Sequence, residues 1–366
     1  MSTAWSTFDE RRWTTLFETW EAWWNHSLDR PVVIYEGYLP GYRETHPQAP
    51  PQPSRFFLGD FPLDTPPEQL LQKFEEHLQA AFFVGDAFPR FWINLGPGVL
   101  AAALGAQFEF FEGSLWFQPS VSEETPLSEV RLEFNPDQVL WRKALQIAHQ
   151  AVERWGSRVA IGVTDLGGNL DILASLIGPQ RLAMELIDHP LEVERLCAEI
   201  RSFWLQAYCD LAQLCASNHR GYTCWGPLYS SLPHYMLQSD FSYMISPAHF
   251  RRFVVPDLIR CSQEIPNAFY HLDGKGQIRH LDELLKIESI RGIQWIPGAG
   301  EAPPQEWLPL LQRIREANKL CQVYVSSEGA LRITRELGGK GFAFVLDDET
   351  SPEQAETIVK TLYEAG

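Results

Sequence analysis

The chain has 366 residues, 45% of them hydrophobic and 21% charged, so it is long and apolar enough to bury a large core as one big domain or two ordinary ones. Its formal net charge of −17 argues against binding nucleic acid or an anionic membrane, either of which needs a basic surface. Six cysteines without a C-x-x-C pair, no signal peptide and no apolar run long enough to span a bilayer point to a reduced, cytoplasmic protein with thiols in its core.

In chain order, positions 8–25 carry Trp13, Leu16, Phe17, Trp20, Trp23 and Trp24 on one helical stripe. Large aromatics at that spacing cover a core or a subunit contact rather than stack on a cofactor. Residues 1–30 thus read as an N-terminal helical extension. Arg30-Pro31 leads into a strand at 32–35 that ends at Glu36 and Gly37, and the proline-rich stretch 38–67 reads as a long surface connection at a strand exit. Residues 67–84 place Leu70, Leu71, Phe74, Leu78 and Phe82 in helical phase. A strand at 91–94 runs into Gly96-Pro97-Gly98; the region 96–136, with one more strand at 114–118, reads as an insertion. After a helix at 136–155, a strand at 159–163 stops at Thr164-Asp165. Gly167-Gly168 then opens a helix past Asn169 and Asp171, with no Walker or dinucleotide pattern to support phosphate binding.

Helices at 180–187 and 190–217 precede a strand at 220–225, which ends at Gly226-Pro227, and a mobile-looking segment at 233–245. Ser246-Pro247 begins another helix, serine as cap and proline in the first turn. The stretch 267–298 forms one β-α-β unit. Its first strand stops at His271, Asp273 and Gly274; Ile278, Leu281, Leu284 and Leu285 make an apolar helical face; and a strand at 292–296 carries Gln294 and Trp295. A helix at 307–318, a strand at 321–326, a helix at 331–337, a strand at 341–346 and a helix at 352–363 close the chain.

Counting one principal strand each at Val32, Phe91, Val159, Arg220, Asn267, Gly292, Cys321 and Gly341, with helical material between, gives the rhythm of an α/β fold of the (β/α)8 TIM-barrel class. A split open sheet would need a linker between halves, and no Gly/Ser-rich or charged one is present. Residues 1–366 are therefore expected to form one barrel domain, with 96–136 inserted at its mouth. In such a barrel the strand exits share one opening, which would gather Glu36, Asn94, Asp165, Trp225, His271 with Asp273, Gln294, Ser326 to Glu328, and Asp347 with Asp348. Each has a plainer role available: Asp165 as a helix cap, Asp347 in a turn, His271 as a core imidazole.

Several segments resemble the uroporphyrinogen decarboxylase superfamily of barrel proteins, which includes the zinc-dependent corrinoid methyltransferases. They are Arg30-Pro31-Val32-Val33, Tyr38-Leu39-Pro40-Gly41-Tyr42-Arg43-Glu44, Ile245-Ser246-Pro247-Ala248-His249-Phe250 with Val254-Val255-Pro256, and His271-Leu272-Asp273-Gly274. Where the resemblance places the decarboxylase's substrate-holding arginines, this chain has Ile34-Tyr35-Glu36-Gly37, and Asn94 or Leu95 stands at the expected aspartate. Glu36 would repel an octacarboxylate, so uroporphyrinogen itself is not the expected substrate. Where it places the methyltransferases' His-x-Cys pair and distant Cys, the chain has His271, Asp273 and Asp347, an imidazole with oxygen donors that suits Zn, Mn or Fe(II).

The resemblance thus implies metal-assisted methyl or other one-carbon transfer on a small organic substrate. His271, Asp273 and Asp347 would hold the ion, and Glu36 would act as fourth ligand or general base. Asp165 would donate a proton or anchor substrate, while Asn94, Trp225, Gln294 and Glu328 would orient it. A corrinoid protein is the implied partner, and a homodimer is compatible with the tryptophan-rich helix. A metal-free decarboxylase using Asp165 and His271, and a non-catalytic binding protein, are the competing readings; in the plainest one Asp273 pairs with Lys275 or caps the next helix.

Overall fold

The computed structural model describes residues 8–366, so the first seven residues of the expected N-terminal extension lie outside it. The helix Glu10–Trp24 begins where the Asp9 carboxylate accepts the Arg12 N–H at 2.9 Å, satisfying one of the orphan amides of a first turn. Trp13, Leu16, Trp20, Trp23 and Trp24 are buried, while Phe17 faces solvent. The indoles of Trp20, Trp23 and Trp24 donate to the carbonyls of Asp86, Phe342 and Tyr229, and Trp23 stacks on Phe269 with centroids 5.9 Å apart. This aromatic stripe is internal core, so self-association argued from it loses that support.

The strands are β1 (Val32–Tyr38), β2 (Ala81–Gly85), β3 (Arg90–Trp92), β4 (Gln107–Phe111), β5 (Ser114–Gln118), β6 (Ala160–Gly162), β7 (His234–Leu237), β8 (Asn267–Asp273), β9 (Ile290–Ile296), β10 (Leu320–Val325) and β11 (Phe342–Leu346). One sheet runs β2-β1-β11-β10-β9-β8-β7, parallel throughout except between β1 and β2. A second parallel pair joins β3 to β6, and a parallel bridge reaches from Gly162 to Thr223. Helices connect the parallel strands, as crossovers between parallel neighbours require. Phe342 opens β11 and Phe269 sits early in β8, so the tryptophan helix covers the end of the sheet opposite the strand exits.

Two departures from the expected strand order have local causes. The helix expected over 67–84 ends at Gln79, and Ala81-Phe82-Phe83-Val84-Gly85 becomes β2. Aromatic and β-branched residues suit a buried strand. β2 pairs antiparallel along the edge of β1 away from β11. The second departure concerns 220–225. Gly221 (φ 71°) turns the chain, Tyr222 pairs antiparallel with Ser230 and Thr223 keeps one parallel bridge to Gly162 of β6, so the segment stands beside β6 by a bridge rather than as a full strand. The place beside β8 belongs to β7, inside the stretch read as mobile: Pro233 precedes four buried residues, His234–Leu237, in parallel register with β8. Polar His234 and Gln238 flank the apolar core of that run and disguise it. With β7 in place, β1, β3, β6, β7, β8, β9, β10 and β11 keep the strand-helix rhythm of the sequence.

The insertion holds the helix Val99–Ala103 and the hairpin β4–β5, whose Glu112-Gly113 turn has positive φ at both residues (50° and 71°), as a primed two-residue turn demands. All six cysteines are free, and five are buried. Among the described residues no helix is long and apolar enough to cross a membrane.

Candidate active site

Three neighbouring strands each bring one polar side chain to the same level. Register sets His271 of β8 beside Gln294 of β9, and Gln294 beside Gln322 of β10, so the three share one face. Gln294 and Gln322 are fully buried. With the Gln294 amide N–H donating to Gln322 Oε1, Gln294 Oε1 accepts from His271 Nδ1. His271 Nε2 therefore keeps its lone pair. That nitrogen lies 3.8 Å from Asp273 Oδ2, and Trp225 stands edge-on to the imidazole with centroids 5.0 Å apart.

Asp240 joins this pair. One ligand atom from each of Asp240, His271 and Asp273 lies within 4.8 Å of the others, the group of this kind found among the described residues. Asp240 opens the 3-10 helix Asp240–Met244 just beyond β7. Its N–H and that of Phe241 donate to the Asp171 carboxylate at 3.0 and 2.7 Å, which anchors the turn. Burial, then the charge of Asp240, pushes the Asp171 carboxyl up to about 7. Asp240 counts as exposed over the whole residue, yet protein crowds its carboxyl, and this crowding with the charges of Asp165 and Asp273 raises it to about 7.

Asp165 lies just past β6, buried, with Oδ1 accepting the Gly167 N–H at 2.8 Å and the Gln238 amide 3.3 Å away. Burial raises its carboxyl to about 6, although the Gly167 N–H and the nearby His271 pull the other way. It does not cap the following helix, whose first residue follows Gly168. Asp273 does not pair with Lys275 either, since Lys275 holds Glu301 at 2.6 Å, and Gly274 rather than Asp273 precedes the next turn.

Glu36 and Asp347 are placed elsewhere. The correction to the expected ligand set is that Asp347 stands apart from the group formed by His271 and Asp273, because it leaves β11 toward the loop after β1 and lines a cavity with Tyr35, Glu36 and Arg55. Glu36 in β1 is buried against the Ser54 hydroxyl; burial raises its carboxyl while Arg90 and Arg55 hold it down. Buried Arg90 in β3 donates to the carbonyls of Cys224 at 2.9 Å and Trp225 at 3.5 Å, which ties β3 to the segment that carries Trp225. Asn94 follows β3, half-buried, its Oδ1 3.4 Å from the Gly96 N–H. Glu328 is exposed in the first turn of the helix Ser327–Leu337, where a carboxylate complements the helix dipole.

The structure thus brings together His271, Asp273, Gln294, Trp225 and Asp165, and adds Asp240, Asp171, Gln322 and Arg90, which sequence reading missed. A signal for Asp240 exists: it follows Tyr235-Met236-Leu237 as the other acids follow their strands. Gln322 could have been found by its register position, one strand beyond Gln294.

No protein-family description matches the chain, and no curated protein does. Among solved structures, a methyltransferase from Methanosarcina mazei superposes over 95% of this chain and 98% of its own with a TM-score of 0.57 and 12% identity. The two share a fold.

Proposed function

We propose that this chain is a single-domain enzyme on a (β/α)8-type scaffold that transfers a methyl or other one-carbon group to a small organic acceptor with the help of a divalent cation. The observation that carries the reading is the convergence of Asp240, His271 and Asp273, with His271 oriented from behind by Gln294. An imidazole whose other nitrogen is held by a buried amide, facing two carboxylates, is a donor set that fits zinc, and manganese or iron(II) after it. The likeness in fold to a methyltransferase supports the transfer class. The methyl source in this reading is a corrinoid carried by a partner protein, as the family resemblance implies.

A bound divalent ion would supply Lewis acidity toward an acceptor oxygen or sulfur. The chain's own residues do the rest. Asp165, with its carboxyl raised to about 6, takes up a proton released near His271. Trp225 walls the imidazole from water, and Asp171 fixes the backbone of Asp240 so that its carboxyl stays in the group. Zinc titrated into chelator-treated protein should bind at about one equivalent and be lost in His271→Ala and Asp273→Asn. A wild type that binds no ion would end the metal reading.

The buried Asp165 beside His271 also favours a second reading, a metal-free decarboxylase in which these two residues handle the proton. Carbon dioxide release that persists in chelator and disappears in Asp165→Asn would select it.

A further inference from the structure

The end of the sheet away from the strand exits carries a cluster of cations that the metal reading does not touch. Strand register builds it. Leu320 of β10 lies beside Gly292 of β9, and Cys321 beside Phe342 of β11, so one or two residues earlier Arg291, Lys319 and Lys340 stand in one row at the entries of three neighbouring strands. The C-terminal end of the Glu10–Trp24 helix closes over this row: Arg291 Nη2 donates to the Trp24 carbonyl, and His26 follows two residues later with φ 58°. At the end of the helix Leu308–Glu316, Arg315 donates to the Lys319 carbonyl and lies over the Phe342 ring at 5.7 Å. Its guanidinium fills the space that a side chain at Gly341 would take.

Little negative charge answers these cations. Lys340 holds Asp29 at 2.8 Å, but Arg291, Arg315 and Lys319 form no ion pair among the described residues, although the chain has 47 acidic residues to 30 basic. Lys319 is 5% exposed and spends its ammonium on the Ile287 and Ile290 carbonyls at 2.7 and 2.6 Å, while Glu288 acts on it only from beyond ion-pair distance. Burial, then the charges of Arg315, Arg291 and Lys340, holds the His26 imidazole below its ordinary value. Taking cations out of water without a counter-charge is costly. Donors also remain open. Nη1 of Arg291, Nε and Nη2 of Arg315 and the His26 ring nitrogens have no protein partner, and these atoms reach solvent, whereas Arg291 Nε is sealed. Two guanidinium forks that cannot lose their charge, beside an imidazole that gains a proton when an anion approaches, match the charge and the oxygen geometry of a phosphate dianion.

We propose that this corner binds a phosphate dianion, free or as the phosphoryl group of a small molecule, between Arg291, Arg315 and His26, with Lys319 and Lys340 behind it. The site lies at the opposite end of the sheet from His271 and is independent of the metal reading. A bound phosphate supplies the missing counter-charge and ties the end of the first helix to β9 and to the entry of β11.

Calorimetric titration of chelator-treated protein at neutral pH with inorganic phosphate, glycerol 3-phosphate and acetate tests this. Phosphate is expected to bind saturably and roughly tenfold or more tighter than acetate, and Arg291→Gln and Arg315→Gln should each remove most of that preference. In proton NMR, phosphate should raise the titration midpoint of the His26 imidazole, assigned by its loss in His26→Asn, by about one pH unit. Arg315 is half-buried at a helix end, and asparagine tolerates the positive φ of His26, so these two variants should melt like wild type and keep the test decisive if Arg291→Gln does not fold. Glycerol 3-phosphate binding as well as phosphate assigns the site to a phosphoryl group on a carrier molecule, and binding of phosphate alone assigns it to the free ion; either upholds the proposal. Equal binding of phosphate and acetate, undiminished phosphate binding in a folded Arg315→Gln variant, or a His26 midpoint that phosphate does not move would overturn it. His271→Ala should abolish zinc binding and leave phosphate binding intact, so the two readings fail separately.

Discussion

Gln294 spends both ends of its amide inside the sheet, one on His271 and one on Gln322, so it cannot touch a substrate directly without losing a buried bond. Its role follows from position: it fixes which imidazole nitrogen faces Asp273. Removing such a partner from a metal-binding histidine weakens the ion by about 10- to 100-fold. Gln294→Leu should lower zinc affinity by that factor in chelator competition, while Gln294→Glu, which can still accept from Nδ1–H, should keep it. Not every histidine near a chemical partner is functional. Cys224 Sγ lies 3.6 Å from His234 Nε2, but burial raises the thiol to about 12 and lowers the imidazole to about 4, so at neutral pH both stay neutral and the pair is packing, not a nucleophile.

At the scale of elements, the Glu10–Trp24 helix is held by three indole-to-carbonyl bonds to parts of the chain distant in sequence. Trp23 is 1% exposed, and truncating a buried tryptophan costs about 3–5 kcal/mol. Trp23→Ala should therefore lower the free energy of unfolding in urea by that amount, whereas Phe17→Ala on the exposed side should change it by less than about 0.5 kcal/mol. The sequence made this helix legible because its aromatic stripe repeats with helical period. It made β8 and β9 legible because each is an apolar run ending in polar residues. What it hid shared one cause. β2 begins one residue after a helix whose phase Phe82 happens to continue, and β7 is a four-residue strand with His234 and Gln238 at its borders. Periodicity cannot find the end of a helix or so short a strand. Missing β7 also explains why Asp240 was overlooked, since an exit is recognised only after its strand. Asp347 went the other way: its exit was found, but the sequence says nothing of which neighbour the side chain will face.

Across the whole molecule, several buried or crowded carboxyls are raised far above the ordinary range of about 4: Asp165 and Asp257 to about 6, and Asp171 and Asp240 to about 7. Burial is the first cause in every case, and Arg201 only partly offsets it at Asp257. Between the unfolded and folded values of such a group the folded state holds the extra proton, so stability rises as pH falls. Its contribution is complete below the unfolded value and is lost as pH rises through 6 to 7. For fully enclosed Asp165 and Asp257 the effect is on the order of 3 kcal/mol each. His234 opposes them: its folded value of about 4 lies below the ordinary 6.5, so the unfolded chain binds the proton first and stability is lost as pH falls from 6.5 to 4, again by on the order of 3 kcal/mol. Above 6.5 the histidine is silent and the carboxyls act alone; below it they outnumber it. Metal-free protein should therefore melt at a higher temperature at pH 5.5 than at pH 8, the reverse of a protein held by ordinary carboxylate ion pairs. Zinc binding at pH 8 should recover part of the difference, because the ion replaces the protons that Asp240 and its neighbours lack there. A melting temperature that rises steadily from pH 5.5 to pH 8 in chelator would mean that these carboxyls are ionised and paired, with no cluster left to receive a cation.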